Sequence, residues 1–222
     1  MNDLGKAFSS FFKDPAWFTK TLAAALFMIL SMFGIGIPIL AGYFVQVAQR
    51  VMRHEEPALP RWNGLGKKFA VGFKFCVVYL CYLIPVLLLL LPVLVILPFT
   101  GGSEQNETIP ILLSIYTFAV TMLLLPYGLV LSMVSPIILY RFAERERIGD
   151  AIAVARVVRD FGKTWQNTLM VALIGIGIQS IAPAGFLVFG IGIFFTIFYS
   201  LVVTAHMSGL LGLASRTPGE TP

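Results

Sequence analysis

The hydrophobic residues of this chain come in long unbroken runs, and the charged ones are gathered between them. Four stretches, Lys20 to Arg50, Lys74 to Glu104, Glu107 to Arg141 and Lys163 to Arg216, hold no Asp, Glu, Lys or Arg between their end residues. Each could cross a hydrocarbon layer of ~30 Å, which takes roughly 20 helical residues. In water such runs would expose a large apolar surface. In lipid a helix is the stable answer, because it satisfies its own backbone hydrogen bonds. The pattern predicts an all-α, polytopic integral membrane protein.

Shorter patterns mark the edges of the runs. On a helix, residues 2–13 place Leu4, Ala7, Phe8, Phe11 and Phe12 on one face and Asn2, Lys6, Ser9, Ser10 and Lys13 on the other. That asymmetry predicts an interfacial helix with its phenylalanines toward lipid. Asp14-Pro15 reads as a helix start, Asp as cap and Pro in the first turn, with Trp17 at anchoring depth. Residues 54–68 form a basic loop broken by Pro57, Pro60, Asn63, Gly64 and Gly66. Apolar segments at about 69–98 and 110–140 flank the uncharged-to-acidic TGGSEQNET. A second basic loop spans 141–165. Within it Val154, Val157, Val158 and Phe161 oppose Arg156, Arg159, Asp160 and Lys163, which predicts a second interfacial helix. The last apolar stretch breaks at Ala182-Pro183-Ala184-Gly185 into segments at about 166–182 and 185–213.

The first run poses a question of its own. FGIGIP at 33–38 is either a kink in one helix or a turn between two. From Pro15 to Arg53 is 39 residues, which as a single helix would run ~58 Å, nearly twice the hydrocarbon thickness. Charge favours the turn. All sixteen Lys and Arg lie before the first run, in the 50–68 stretch with nearby Lys74, in 141–163, or at Arg216. The positive-inside rule then puts both termini and both basic loops in the cytoplasm. The chain must enter and return between 15–33 and 37–53, as a hairpin either spanning or re-entrant. The expectation is one transmembrane domain over 1–222, with six membrane segments in three hairpins and two interfacial helices. FGIGI recurs at 189–193, and at the same spacing Tyr43 matches Tyr199 and Val47 matches Val203. Hairpins one and three could be related repeats, although chance repetition in Gly/Ile-rich sequence is the plainer account.

Composition agrees. The chain is 58% hydrophobic and 12% charged, where soluble domains are about a quarter charged. Basic residues at membrane edges account for the net charge of +5 without nucleic acid. The first residues lack an apolar core followed by a small-residue cleavage site, so no signal peptide is expected. Cys76 and Cys81 fall on different helix faces and form no redox or zinc pattern.

Candidate chemistry is sparse. Functional membrane sites show as ionisable residues within spans, and here no Asp or Glu lies inside one. A proton- or sodium-coupled carrier is therefore disfavoured. Lys74 is near enough to an end to snorkel. His206 has no second intramembrane histidine for a bis-histidine haem, and reads as a residue hydrogen-bonded between helices. His54-Glu55-Glu56 lacks the second histidine of a zincin. No serine has a paired base. Gln46, Gln49 and Gln179 complete the polar set, and Asn106-Glu107-Thr108 is a sequon on the outer side. Pro85, Pro92, Pro98, Pro126 and Pro136 permit bends that could serve packing or enclose a solute. Gly34, Gly36, Gly190 and Gly192 suit close helix contact. No catalytic residue, cofactor or metal site is assigned.

The stretch GYFVQVAQRVMRHEEPALPRW, residues 42–62, pairs a Gly-Tyr near the end of an apolar arm with a basic helix end and Leu-Pro-x-Trp. With the Phe-Lys-Asp-x-x-Trp start and the Arg-Phe-Ala … Gly-Asp-Ala stretch at 141–151, it resembles a prokaryotic multi-pass membrane family catalogued as a domain of unknown function, number four thousand and thirteen. The resemblance implies a helical integral membrane protein and brings no activity with it. The expectation is a multi-pass cytoplasmic-membrane protein, not an enzyme, with a structural or accessory role. Its partners would be the lipid bilayer and other membrane-protein subunits, not nucleic acid. The alternative is a carrier of a lipid-like or apolar small solute.

Overall fold

The structure, a computed structural model, describes residues 4–97, 108–181 and 192–215. Among these residues the chain is all-α: α1 (Leu4–Lys13), α2 (Trp17–Ser31), α3 (Gly36–Met52), α4 (Leu65–Ile96), α5 (Thr108–Arg145), α6 (Ile148–Ile152), α7 (Val154–Ile181) and α8 (Gly192–Ser215). The break at 182–185, Gly190, Pro98, most of TGGSEQNET and most of the second FGIGI lie outside the described residues.

Three helices among the described residues are long and apolar enough to cross a membrane: α4 with 32 residues, α5 with 38 and α8 with 24. This corrects the expected six segments. The 15 residues of α2 and 17 of α3 rise only ~22 and ~26 Å, short of ~30 Å of hydrocarbon. The first turns of α7 are charged, so its apolar half is short as well. Helix ends also differ from the apolar boundaries. α4 starts at Leu65 rather than 69, and α5 runs on to Arg145 rather than 140, because a helix continues through Lys and Arg with little loss of propensity.

The chain divides into two units, residues 1–78 with 133–222, and residues 79–132. In the larger one, FGIGIP is a turn and not a kink. α2 ends at Ser31, Gly34 takes φ +79°, and α3 starts at Gly36. Pro38 sits in the first turn of α3, where an amide has no partner within the helix. The two arms touch so closely that a Cβ on Gly36 would lie 2.0 Å from the Phe27 carbonyl oxygen. Gly34 serves the turn itself and has open space around it. α3 then runs antiparallel to the start of α4. Gly42 lies on Lys68 and Gly72 on Pro38, with room in neither case for a methyl group. α3 lies alongside α8 in the same sense, Tyr43 near Phe198 at 5.5 Å between ring centroids, Gly209 on Val51 and Gly212 on Met52. α7 is antiparallel to α8, Val171 packing with Val203 and Met207 and Gly175 facing Thr204.

Two amphipathic predictions are refined. The expected interfacial helix is present as α1, but its apolar face is not turned to lipid. Ala7 and Phe11 are fully buried, and the Phe11 ring meets Phe195, Phe198 and Tyr199 of α8 edge-on. Phe12 keeps half its surface exposed. The second amphipathic segment, residues 154–163, forms the first part of α7, which is interrupted by non-helical Thr164 (φ −122°, ψ 23°). Its Val157 is buried, while Val154 and Val158 are exposed.

The smaller unit is the C-terminal part of α4 and the first part of α5. The Tyr116 hydroxyl donates to the Leu89 carbonyl (2.8 Å) and Tyr127 to the Tyr82 carbonyl (2.5 Å), so the strips run antiparallel. Each accepting carbonyl lies three residues before a proline of α4, Pro92 or Pro85. A proline ring crowds the preceding turn and loosens its hydrogen bonds, and a neighbouring helix can then supply the donor. The prolines thus serve helix pairing here. The outward face is apolar: Leu88, Leu94, Phe118 and Leu123 are each more than half exposed.

Candidate functional site

The loop after α3 organises the larger unit. His54 takes a left-handed φ of 55°, and the Glu55 amide reaches back to the Arg50 carbonyl at 2.9 Å. The chain thereby doubles back over the hairpin. Ala58 and Leu59 bury their side chains. Trp62 stacks on Tyr43 at 4.3 Å and on Phe27 at 4.8 Å, and its Nε1 donates to the Lys20 carbonyl at 2.9 Å.

Beneath the loop is a buried ion pair. Lys20 Nζ lies 2.5 Å from Asp14 Oδ2 and donates to the Leu59 carbonyl at 2.8 Å. The Ala16 amide donates to Asp14 Oδ1 at 2.8 Å. Asp14 therefore closes the turn before α2 and neutralises Lys20, rather than capping α2, whose N-cap is Ala16. One charge pair joins the α1–α2 turn, the first turn of α2 and the loop. Leu-Pro-x-Trp now has a physical reading: Leu59 supplies a buried side chain and an accepting carbonyl, and Trp62 locks the loop onto the hairpin.

A second polar cluster ties α5 to α6 and α7. Arg141 pairs with Asp160, which also accepts from the Tyr140 hydroxyl at 2.8 Å. Arg141 Nε donates to the Asp150 carbonyl at 3.2 Å, and Arg156 pairs with Asp150. Gln49 Nε2 reaches the Ala143 carbonyl and Glu146 Oε1, both at 2.9 Å.

Of the 42–62 and 141–151 stretches singled out in the sequence, the first builds the loop lock and the second this ion-pair network. The family described as Protein of unknown function (DUF4013) matches residues 25–189. The chain belongs to this family. No curated protein and no solved structure matches it.

The DUF4013 chain carries a half-open cavity of about 500 Å³ beside the loop. Ser10 and Lys13 of α1, Val51 of α3, His54 to Ala58 of the loop and His206, Leu210 and Leu213 of α8 line it. His206 Nδ1 lies 3.2 Å from Ser10 Oγ, a hydrogen bond between helices. The fold thus gathers His206 and His54-Glu55-Glu56, far apart in the chain, around one cavity. Nothing in their spacing signals it, because the meeting depends on α8 lying along α3. Lys74 is exposed on α4, Gln179 is exposed on α7, and Cys76 and Cys81 are free and half-buried. Among the described residues, no group of three His, Cys, Asp or Glu is placed to hold a metal.

Proposed function

We propose that this DUF4013 protein is a multi-pass protein of the cytoplasmic membrane with both termini inside, and that it acts without catalysis as a structural or accessory subunit. The observation that supports this best is the apolar antiparallel strip pair of residues 79–132, whose large side chains face outward. Such a face suits lipid chains and the apolar flank of a partner helix.

In this reading α4, α5, the apolar half of α7 and α8 cross the membrane, and the α2–α3 hairpin is re-entrant. The shortness of both arms, 15 residues in α2 and 17 in α3, supports the re-entrant form. The chain reaches the outer side along the apolar half of α7 and returns through α8. Every Lys and Arg then stays on the cytoplasmic side, where moving one to a bilayer centre would cost about 2.5–3.5 kcal/mol on insertion scales. Single cysteines at Asn63, Ser103 and Thr217, in a chain lacking Cys76 and Cys81, test this with a membrane-impermeant thiol reagent on intact cells. Only the Ser103 position should label. Labelling at Asn63 would overturn the inside placement of the loop and with it the hairpin topology.

A second reading, a carrier of a lipid-like solute, draws on the cavity beside the loop. Reconstituted vesicles that show no protein-dependent movement of labelled lipid between leaflets would count against it.

A further inference from the structure

We propose that the cavity between α1, the 54–58 loop and α8 is a binding site for an ammonium–phosphate zwitterion, the headgroup of a phosphatidylethanolamine molecule in the adjacent leaflet. It rests on the membrane reading above and is independent of whether the lipid is moved.

Lys13 and Glu56 both line the cavity, both are exposed, and no salt bridge joins them. Glu55, next in sequence, is already engaged by Arg50 at 3.4 Å. The cavity lining therefore presents one cation and one anion that do not pair with each other. A monovalent anion or cation would satisfy one of them and be repelled by the other. A zwitterion carrying both charges satisfies both, the phosphate at Lys13 and the ammonium at Glu56, each by a charge-assisted hydrogen bond. The exposed His54 adds a ring nitrogen to the rim.

The floor supplies the second half of the argument. Val51, Leu210 and Leu213 are apolar, and the last two belong to the final turns of α8. A soluble zwitterion has nothing to place there, whereas the glyceryl and first acyl carbons of a lipid do. The volume of about 500 Å³ is in the range of small-molecule sites, about 300–1,000 Å³. The position fits as well. The cavity lies at the ends of α3 and α8, lined there by Val51, Leu210 and Leu213, at the level of headgroups in the proposed topology.

Native mass spectrometry of the full chain in a mild detergent tests the proposal, with phosphatidylethanolamine, phosphatidylcholine and phosphatidylglycerol of the same acyl chains as probes. One phosphatidylethanolamine should be retained in preference to the other two. Phosphatidylcholine lacks N–H donors for Glu56, and phosphatidylglycerol lacks the ammonium. Lys13→Ala and Glu56→Gln should each weaken retention roughly tenfold, the worth of one hydrogen bond to a charged group. Arg159→Ala, a residue outside the cavity lining, should leave it unchanged. Both cavity positions are exposed, so melting points should match the parent and exclude misfolding as the cause. Soluble glycerophosphoethanolamine separates the two sources of the zwitterion: binding as tight as the lipid's would overturn the assignment to lipid. Equal retention of the three lipids, or indifference to Glu56→Gln, would overturn the site itself. Labelling at Asn63 from outside would refute the topology while leaving this measurement intact, so the two failures are distinguishable.

Discussion

Replacing Lys20 by Met strands the Asp14 carboxylate, and the consequence can be worked through. The Asp14 side chain is 2% exposed and that of Lys20 10%. In the parent chain the ammonium serves two acceptors, Asp14 Oδ2 and the Leu59 carbonyl. Met fills a similar volume and supplies no donor. The carboxylate keeps the Ala16 amide on its other oxygen, which does not neutralise it. Breaking a buried pair by removing one partner costs about 3–5 kcal/mol, and the orphaned Leu59 carbonyl adds about 1 kcal/mol. For a chain of this size 1 kcal/mol moves the melting point by about 2–4 °C, so Lys20→Met should lower it by roughly 8–24 °C. Intrinsic fluorescence in detergent reads this directly, since Trp62 donates to the Lys20 carbonyl and stacks over Tyr43. The double variant Asp14→Asn with Lys20→Met carries no stranded charge and should recover at least half of the loss. A fall below about 3 °C for Lys20→Met, or a double variant no better than the single, would refute the claim that this pair pins the loop.

Other expectations follow from the same packing. Gly72→Ala should destabilise by about 1–3 kcal/mol, because its methyl group would meet the Pro38 carbonyl oxygen at 1.7 Å; an unchanged melting point would mean that α3 and α4 are not in contact there. Gly128→Ala, with nothing within 4 Å, is the matched control and should be neutral or slightly stabilising. Tyr127→Phe with Tyr116→Phe should cost about 0.6–2 kcal/mol per lost bond, read as faster proteolysis or hydrogen exchange in residues 79–132. Trp62→Phe keeps the ring stack and loses the bond to the Lys20 carbonyl, so a loss of about 1 kcal/mol is expected, smaller than for Trp62→Ala.

The sequence by itself determined that the chain is all-α with helices long and apolar enough to cross a membrane, and that its charges are gathered between the apolar runs. Runs free of Asp, Glu, Lys and Arg can be stable only in a helix surrounded by apolar matter, and that inference needs no neighbour. It also located the turn at FGIGIP, since a Gly-rich break followed by Pro has few other local solutions. It overcounted membrane segments, because apolar character is legible residue by residue whereas helix length depends on where loops fold back. The direction in which α1 turns its phenylalanines was likewise undecidable locally. An apolar face fits lipid and a neighbouring helix equally well, and only the presence of α8 at Phe11 chose between them. The polar contacts are the clearest case. Asp14 with Lys20 and Leu59, Gln49 with Ala143, and His206 with Ser10 join residues 6 to 196 positions apart. No periodicity encodes such pairs. They follow from which helices lie side by side, and that was set by the small residues Gly42, Gly72, Gly209 and Gly212, where one added methyl group would force the helices apart.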